Sequence, residues 1–204
     1  MKAISSIRPA RHIHIIFNKP YGVVSQFTPV AGHVPLSKFG FPKGIYPAGR
    51  LDHDSEGLLF LTSDGTLQHF ICNPKFAHRR TYWAQVERVP SGSDLEKLSK
   101  GITISDGPCR PAAARLIPEP QLPPREPPIR LRKTVPTAWV EITLTEGRNR
   151  QVRRMLAAIG FPVLRLFRWK IGVVTAQGLA PGTWRELNAQ ELMALQKLAS
   201  CEER

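Results

Sequence analysis

Three carboxylates lie close together in a loop near the end of the first quarter of the chain. They are Asp52, Asp54 and Glu56, and a glycine on each side of them suits the tight turns of a loop. Residues 1–50 contain seven Lys and Arg and no Asp or Glu, so Asp52 should be surrounded by cations that keep it ionised. An ionised carboxylate suits a nucleophile or a general base, and equally a structural salt bridge. A solvated acidic turn is the plainest interpretation, and a metal site is weaker because no calcium- or magnesium-loop pattern follows.

A second group of charged residues is basic. Four arginines fall within seven residues, where the pattern predicts a helix from about residue 149 to Gly160. Like charges repel at a helix N-terminus, and the helix dipole adds positive potential there. A bound anion such as phosphate would relieve this conflict, and a solvated basic face is the alternative. The four are Arg148, Arg150, Arg153 and Arg154.

The net charge of the whole chain indicates an anionic partner. It is +13 at pH 7 over 204 residues, which favours a polyanion such as RNA over a small acid. The excess is concentrated in residues 1–50 and in residues 125–170, where eleven Lys and Arg face three Asp and Glu. If the fold brings these two blocks together, they form a basic cleft with Asp52 at its edge.

Other features exclude several classes of protein. Cys72, Cys109 and Cys201 are not spaced as metal or redox pairs, and no Cys and His set has zinc-finger spacing. No apolar run approaches a membrane span, and the N-terminus lacks a signal-peptide core. The sequence therefore predicts a cytoplasmic protein without a structural zinc ion.

The elements that position these charges can be predicted from periodicity and turn residues. Ser63 or Asp64 caps a short helix, and a capping box of Ser93 and Glu96 opens a second one that ends at Gly101. A third helix is the arginine-bearing one, and a fourth spans 189–199. Strands are predicted at 13–17, 58–62, 79–87, 102–117 (with a turn at 106–107) and 138–145, and the last strands end near residue 187.

The stretch 118–136 is rich in proline and contains several basic residues. Such a composition predicts a stiff, partly polyproline-like loop. It is either an interdomain linker or, as we slightly favour, a basic arm that reaches over RNA. Its basic residues are Arg125, Arg130, Arg132 and Lys133.

Several motifs together resemble the RsuA-type pseudouridine synthases. They begin with Gly49-Arg50-Leu51-Asp52, which Ser55-Glu56-Gly57-Leu58-Leu59 and Thr62-x-Asp64-Gly65 follow. The others are Asn18-Lys19-Pro20-Tyr21-Gly22, Arg80-Thr81-Tyr82, Glu146-Gly147-Arg148-Asn149-Arg150-Gln151-Val152-Arg153-Arg154-Met155 and Phe161-Pro162-Val163-Leu164-Arg165-Leu166.

The resemblance covers roughly residues 12–187, with a basic N-terminal arm at 1–11 and a C-terminal helix and tail at 188–204. Many family members begin with an S4 domain, for which residues 1–11 are too few. The chain is therefore most similar to the large-subunit (23S) rRNA pseudouridine synthase E subgroup. The fold implied is α+β, with a mixed, mainly antiparallel sheet spanning two lobes and the site in the cleft between them.

The resemblance also implies an activity and its residues. A uridine of rRNA, most plausibly 23S rRNA, is flipped out and isomerised to pseudouridine without cofactor or metal, by a monomer. Asp52 attacks C1′ or takes a sugar proton, Arg153 pairs with it, and Tyr82 stacks on the uracil or serves as a base. Arg50 fills the space that the base leaves. Phosphate contacts fall to Lys19, Arg148, Arg150, Arg154, Arg130, Arg132 and Lys133.

Two other functions compete with this one. A non-catalytic RNA-binding or ribosome-assembly protein would share the basic surface, but it has no need for a carboxylate that faces phosphates. An aspartyl-phosphate enzyme would use Asp52 and Asp54, and it would depend on magnesium.

Overall fold

The computed structural model describes residues 12–130, 132 and 134–201, with side chains as far as residue 197. The predicted arm at 1–11, Lys133 and the end of the predicted tail at 202–204 lie outside the described residues. The strands are β1 (His14–Lys19), β2 (Tyr46–Pro47), β3 (Glu56–Thr62), β4 (Arg80–Glu87), β5 (Thr103–Ile104), β6 (Gly107–Pro108), β7 (Ala113–Ile117), β8 (Thr137–Leu144), β9 (Val163–Ile171), β10 (Val174–Thr175) and β11 (Trp184–Glu186). The helices are α1 (Gly65–Cys72), α2 (Gly92–Ser99), α3 (Gln151–Ala158) and α4 (Ala189–Cys201).

One large mixed sheet runs through the protein in the order β11-β1-β3-β9-β4-β8-β7. Short β2 and β10 add to β3 and β9, and β5 pairs with β6 as a separate hairpin. Every pairing is antiparallel except that between β3 and β9. The predicted α+β class with a mainly antiparallel sheet is confirmed.

The parallel pair β3 and β9 joins the two halves of this sheet through a short seam. Glu56 lies opposite Phe167 and Gly57 opposite Arg168. Gly57 has a φ of +100°, and a Cβ atom built there would lie 2.5 Å from the carbonyl oxygen of Arg168. Only glycine allows this approach, so the seam needs it.

Three apolar clusters cover the sheet. On one face of the half containing β4, β8 and β9, α2 and α3 bury Ala84, Ile142 and Leu166. On the same face of the other half, the loop before β2 packs against Phe17 and Leu59. The opposite face packs against α1 and α4 through a third cluster that includes Leu58, Phe60, Leu67, Phe167 and Leu195. The cleft lies on the first face, between the first two clusters. Within the described residues, no helix has the length and apolarity that a bilayer span requires.

The start of the second helix differs from the predicted one. Ser91, not Ser93, is the N-cap of α2, and the capping box is completed by Asp94 at the third helical position. The side-chain hydroxyl of Ser93 instead lies 2.9 Å from that of Ser91. Both serines fit the capping pattern, because each has an acid three residues later, and the chain uses Ser91.

The first part of the proline-rich stretch lies against the body of the protein. The Arg125 guanidinium lies 4.2 Å from the centre of the Tyr21 ring and donates to two carbonyl groups within its own segment. Leu122 packs into the cluster beneath α1, and the Pro123 carbonyl accepts a hydrogen bond from Arg165. This part is neither a linker between domains nor a free arm. Further on, Arg130 and Arg132 are exposed, and a loose ion pair of 3.7 Å joins Arg132 to Glu87.

Candidate active site

A polar cavity of about 410 Å³ opens at the seam of the sheet. Its walls are the loop 48–55, the segment 144–152 that leads into α3, and the loop 24–26, and its floor is formed by β4 and β9. The residues on its surface include Arg50, Asp52, Arg80, Tyr82, Glu146, Arg148, Arg150 and Arg168. The fold therefore brings the acidic loop, the tyrosine motif and part of the arginine motif to one place.

The main chain of the acidic loop is held at several points. The Ser25 hydroxyl donates to the Leu51 carbonyl at 2.7 Å and accepts from the Leu51 amide at 3.0 Å. The amide of Gly22 donates to the His53 carbonyl, and the amide of Ser55 donates to the Asp52 carbonyl. These bonds fix the backbone that carries Asp52 without involving its carboxylate.

The carboxylate of Asp52 is the more open of the two aspartates. Its side chain is 36% exposed, and its ion pair with Arg150 is long, at 3.9 Å. Within the described residues, no hydrogen bond reaches its carboxylate oxygens. The other acid in the cavity wall, Glu146, is buried and accepts hydrogen bonds from the Arg110 amide and the Gln151 side chain. Asp52 is thus the carboxylate that remains available to a ligand.

Asp54 is the aspartate that takes the close ion pairs. Arg150 donates to both of its oxygens, at 3.0 and 2.8 Å, and the Arg153 Nε atom lies 3.5 Å from Oδ2. Arg153 also donates to the Asp54 carbonyl at 2.7 Å. Burial acts to raise the pKa of Asp54, but the hydrogen bond from Arg150 and the charges of both arginines outweigh it and lower that pKa below its ordinary value.

The predicted pairing of Arg153 with Asp52 is therefore wrong in this structure. The side chain of Arg153 is only 13% exposed and donates to Val163 on β9 as well as to Asp54. The arginine nearest to Asp52 is Arg150, which adopts a left-handed conformation (φ 49°) as the N-cap of α3. The motif identifies Arg153 in the sequence, but the path of the folded loop determines which carboxylate this arginine contacts.

The other arginines of this motif also have partners within the protein, although the buried Nε of Arg154 donates no hydrogen bond to a described residue. Arg148 donates to the carbonyls of residues 106–108 and lies 3.5 Å from Glu146. Arg154 is bound to Asp106 and does not line the cavity. Their predicted role as free phosphate contacts is not supported, because internal carboxylates and carbonyls relieve the repulsion that a bound anion was expected to relieve.

Lys19 also differs from its predicted role in phosphate binding. It is fully buried (0% exposed), and its Nζ donates to the carbonyls of Pro20 and Val23. Burial, followed by the nearby charge of Arg168, lowers the pKa of Lys19 to about 7. The residue stabilises the turn after β1 and does not reach a phosphate.

Arg50 and Tyr82 lie where the sequence places them, on the cavity surface. The Arg50 side chain is exposed, while its carbonyl accepts a hydrogen bond from Arg168. Tyr82 is half-buried on β4, and its neighbours in register on the same face are Ile142 on β8 and Arg168 on β9. A planar group that enters the cavity can stack on Tyr82 while Asp52 approaches from the wall.

The sequence analysis missed three residues that shape this site. Arg80 and Arg168 line the cavity from the sheet, and Ser25 holds the acidic loop. Arg168 gave no signal of an internal role, because Val163–Ile171 also contains Arg165 and Lys170. Ser25 gave none, because its partner is distant in sequence. Among the described residues, no cluster of three or more metal-binding side chains occurs.

Comparisons with known proteins agree with this geometry. A sequence model of the RNA pseudouridylate synthase family matches residues 13–158. The chain is 54% identical to ribosomal large subunit pseudouridine synthase E of Xanthomonas axonopodis pv. citri, over 82% of this chain and 90% of that protein. It is 37% identical to ribosomal large subunit pseudouridine synthase B of Bacillus subtilis, over 92% of this chain and 72% of that protein. A crystal structure described as a pseudouridylate synthase superposes with a TM-score of 0.76 at 29% identity, covering 91% of this chain and 74% of the other.

Proposed function

The chain belongs to the RNA pseudouridylate synthase family, and we propose that it converts a uridine of large-subunit ribosomal RNA to pseudouridine through Asp52. The relatives over 50% identical are named for the large ribosomal subunit, which supports 23S rRNA as the substrate. The uneven positive charge of the chain supports a polyanionic partner of this kind.

The observation that carries the proposal is the state of Asp52. It is the carboxylate in the cavity wall whose oxygens accept no hydrogen bond from a described residue, on a loop whose backbone is held in place. A group kept open on a rigid support is suited to react with a ligand. Tyr82 lines the same cavity, so a base stacked on its ring would present its sugar to the carboxylate.

The reaction requires access to C1′ of the target nucleotide. A uridine stacked in RNA must leave the stack to enter a cavity of this size. Arg50 is exposed at the rim and fills the position that the base vacates. The N1–C1′ bond then breaks, the uracil turns, C5 bonds to C1′ and loses its proton, and N1 gains a proton. Substrate and product are isomers, so the reaction needs no oxidant and no second substrate.

Asp52 starts this sequence in one of two ways. It attacks C1′ or removes a sugar proton, and both require the ionised form. Arg150 supplies the nearest positive charge, 3.9 Å from Asp52. Arg153 acts one step further away, by holding Asp54 and the loop main chain.

The rest of the RNA meets the exposed basic residues around the cleft, among which Arg130 and Arg132 are candidates. The cavity is built by one chain, which fits a monomer. We place the enzyme in the cytoplasm, where bacterial rRNA is transcribed and modified. A ribosome-assembly factor without catalysis would use the same basic surface, but it would leave the open carboxylate of Asp52 unexplained.

The test is tritium release from 23S rRNA labelled with [5-³H]uridine, in EDTA. Wild-type protein should release tritium, and Asp52→Asn should lose the activity by a factor on the order of 10⁴ or more while still binding RNA. Asp106→Asn makes the same chemical change outside the cavity and should stay near wild type.

Three results would contradict the proposal. Retained release by Asp52→Asn would exclude this carboxylate from the chemistry. Binding of 23S rRNA, 16S rRNA and tRNA by the wild type without release from any of them would favour the assembly factor. Magnesium-dependent activity in place of release in EDTA would favour the aspartyl-phosphate enzyme.

A further inference from the structure

One guanidinium at the floor of the cavity has a nitrogen that donates no hydrogen bond to a described residue. Arg168 lies on β9, is only 3% exposed, and lines the cavity. Its Nε donates to the Leu58 carbonyl at 2.7 Å and its Nη1 to the Arg50 carbonyl at 3.3 Å. Its Nη2 is buried, and no described residue accepts a hydrogen bond from it. Buried donors are rarely left unpaired, so this nitrogen needs an explanation.

The charge of Arg168 is not neutralised by a carboxylate. Arg165 on the same strand gives the contrast, because both of its bonds to Glu56, at 2.8 and 2.7 Å, form a buried ion pair. Among the described residues, no acid lies within ion-pair distance of Arg168. Burying a cation with neutral partners alone is unfavourable for folding. A functional role accounts for keeping it there.

The position of Arg168 relates it to the base of the substrate. It is the partner of Tyr82 in the register of β4 and β9, so both side chains leave the sheet on the same face. Under the proposed function, the uracil lies against Tyr82. The edge of a base placed there comes within reach of the guanidinium.

The chemistry of the reaction supplies the missing acceptor. When the N1–C1′ bond breaks, its electron pair stays with the uracil, and the negative charge spreads over N1 and the carbonyl oxygens O2 and O4. This happens whether Asp52 attacks C1′ or removes a sugar proton. A fixed, buried donor that meets such a charge is a common means of lowering a barrier.

We propose that Arg168 is a catalytic residue, whose Nη2 donates a hydrogen bond to a carbonyl oxygen of the departing uracil and stabilises its negative charge. No proton is transferred in this step. The electron pair that leaves C1′ is held on the ring until C5 bonds to C1′; the C5 proton is then lost, and N1 takes up a proton. This inference rests on the proposed function.

A purely positional role for Arg168 has to be separated from this one. Its bonds to Arg50 and Leu58 hold both ends of the acidic loop, so its loss could act through Asp52 alone. The two roles differ in their dependence on the leaving group. Fluorine at C5 withdraws electrons and stabilises the uracil anion by itself, so 5-fluorouridine should need Arg168 less. A displaced Asp52 should slow both substrates equally.

The experiment measures single-turnover rates with an rRNA fragment on which the wild type is active, made with uridine or with 5-fluorouridine. Consumption of the target nucleoside is followed by mass spectrometry after digestion, and RNA binding is measured in parallel. Arg168→Met is compared with Lys170→Met, which removes a cation from the same strand, β9, outside the cavity. Arg168→Lys keeps the charge and serves if the methionine variant does not fold.

We expect Arg168→Met to bind RNA as the wild type does and to react with uridine about 10²- to 10³-fold more slowly. The loss on 5-fluorouridine should be severalfold smaller, with Arg168→Lys intermediate and Lys170→Met unchanged. Equal losses on both substrates, or no loss on either, would overturn the proposal. Failure of the proposed function is a different result, namely a wild type that consumes neither nucleoside.

Discussion

Two groups of cations, one at the start of α3 and one on the sheet, differ in their partners. The helix arginines, Arg148, Arg150, Arg153 and Arg154, have carboxylate partners at Asp54, Asp106 and Glu146. The sheet cations, Lys19 on β1, Arg80 on β4 and Arg168 on β9, donate to main-chain carbonyls instead. Within the described part of the chain, none of the sheet cations forms an ion pair.

This difference determines where positive charge remains. A carboxylate neutralises the arginine that it binds, whereas a carbonyl supplies only a dipole. The sheet cations therefore act on one another as well as on the cavity. Burial, and after it Arg168, lowers the pKa of Lys19 to about 7, and burial also lowers the pKa of Arg80. The most arginine-rich motif in the sequence thus carries the charges that are neutralised, and scattered strand residues carry those that are not.

The largest effect on the free energy of unfolding should come from a substitution that changes the spacing of β3 and β9 at the seam of the sheet. Gly57→Ala places a Cβ atom 2.5 Å from the carbonyl oxygen and 2.8 Å from the amide nitrogen of Arg168, at a φ of +100°. We expect the free energy of unfolding to fall by roughly 3 kcal/mol, with activity impaired as Arg168 moves. Urea denaturation measures this change in the free energy of unfolding.

Gly65→Ala is the matched control, since a Cβ atom at this first residue of α1 meets nothing within 4 Å. Its stability should rise slightly or stay the same. An equally small effect at Gly57 would mean that the spacing of β3 and β9 does not hold the sheet cations in place.

The second effect concerns the charge of Lys19. With a pKa of about 7 in the folded protein and about 10.4 when unfolded, the unfolded chain binds more protons between these values. The contribution of Lys19 therefore makes the free energy of unfolding increase as the pH rises above 7. Between about pH 7 and about pH 9, the free energy of unfolding of the wild type should rise by roughly 2 kcal/mol more than that of Lys19→Met. Parallel curves would show that burial and the charge of Arg168 do not lower the pKa of Lys19.

A smaller effect should come from the ion pair between Arg150 and Asp54. A double-mutant cycle with Arg150→Met and Asp54→Asn should give a coupling of about 1 kcal/mol near neutral pH. Because the pKa of Asp54 is lowered in the folded protein, this contribution is present above the ordinary carboxyl pKa and is lost as the pH falls below it. A coupling near zero would remove the distinction between the helix arginines and the sheet cations.

The smallest effect is expected for Arg154 and Asp106, which form a pair outside the cavity with the acid 46% exposed. Their coupling should be at most about 0.5 kcal/mol and should decrease with salt. The same thermal or urea measurement at low and high salt tests this. A large coupling that salt does not change would place this pair in the structural core of the protein.

The sequence predicted those parts of the site that depend on local spacing. Family, fold class and the joint approach of Asp52 and Tyr82 to one cavity could be inferred from motifs in which the residues lie within a few positions of each other. The partners of the arginines could not be inferred. Arg150 lies 96 residues from Asp54 and Arg154 lies 48 residues from Asp106, so only the folded chain decides these pairs.

Burial explains the other differences. A lysine at the end of a strand and next to a turn is normally solvated, and nothing in the sequence shows that Lys19 is enclosed by the carbonyls of Pro20 and Val23. The capping box of α2 was displaced by two residues because Ser91 and Ser93 both precede an acid at the required distance. Such competition is settled by the path of the chain into the helix, which sequence patterns describe least well.

The face opposite the cavity carries two tryptophans whose arrangement provides an intrinsic spectroscopic probe. Trp83 and Trp169 are stacked with ring centres 4.1 Å apart and planes 14° from parallel. Each follows directly, in the chain, a residue that faces the cavity, Tyr82 or Arg168. Two indoles this close share their excited states, and the resulting circular dichroism and fluorescence depend steeply on their separation and angle. A sub-ångström shift of β4 relative to β9 when a nucleotide enters would therefore change the circular dichroism and the tryptophan fluorescence, without any added label.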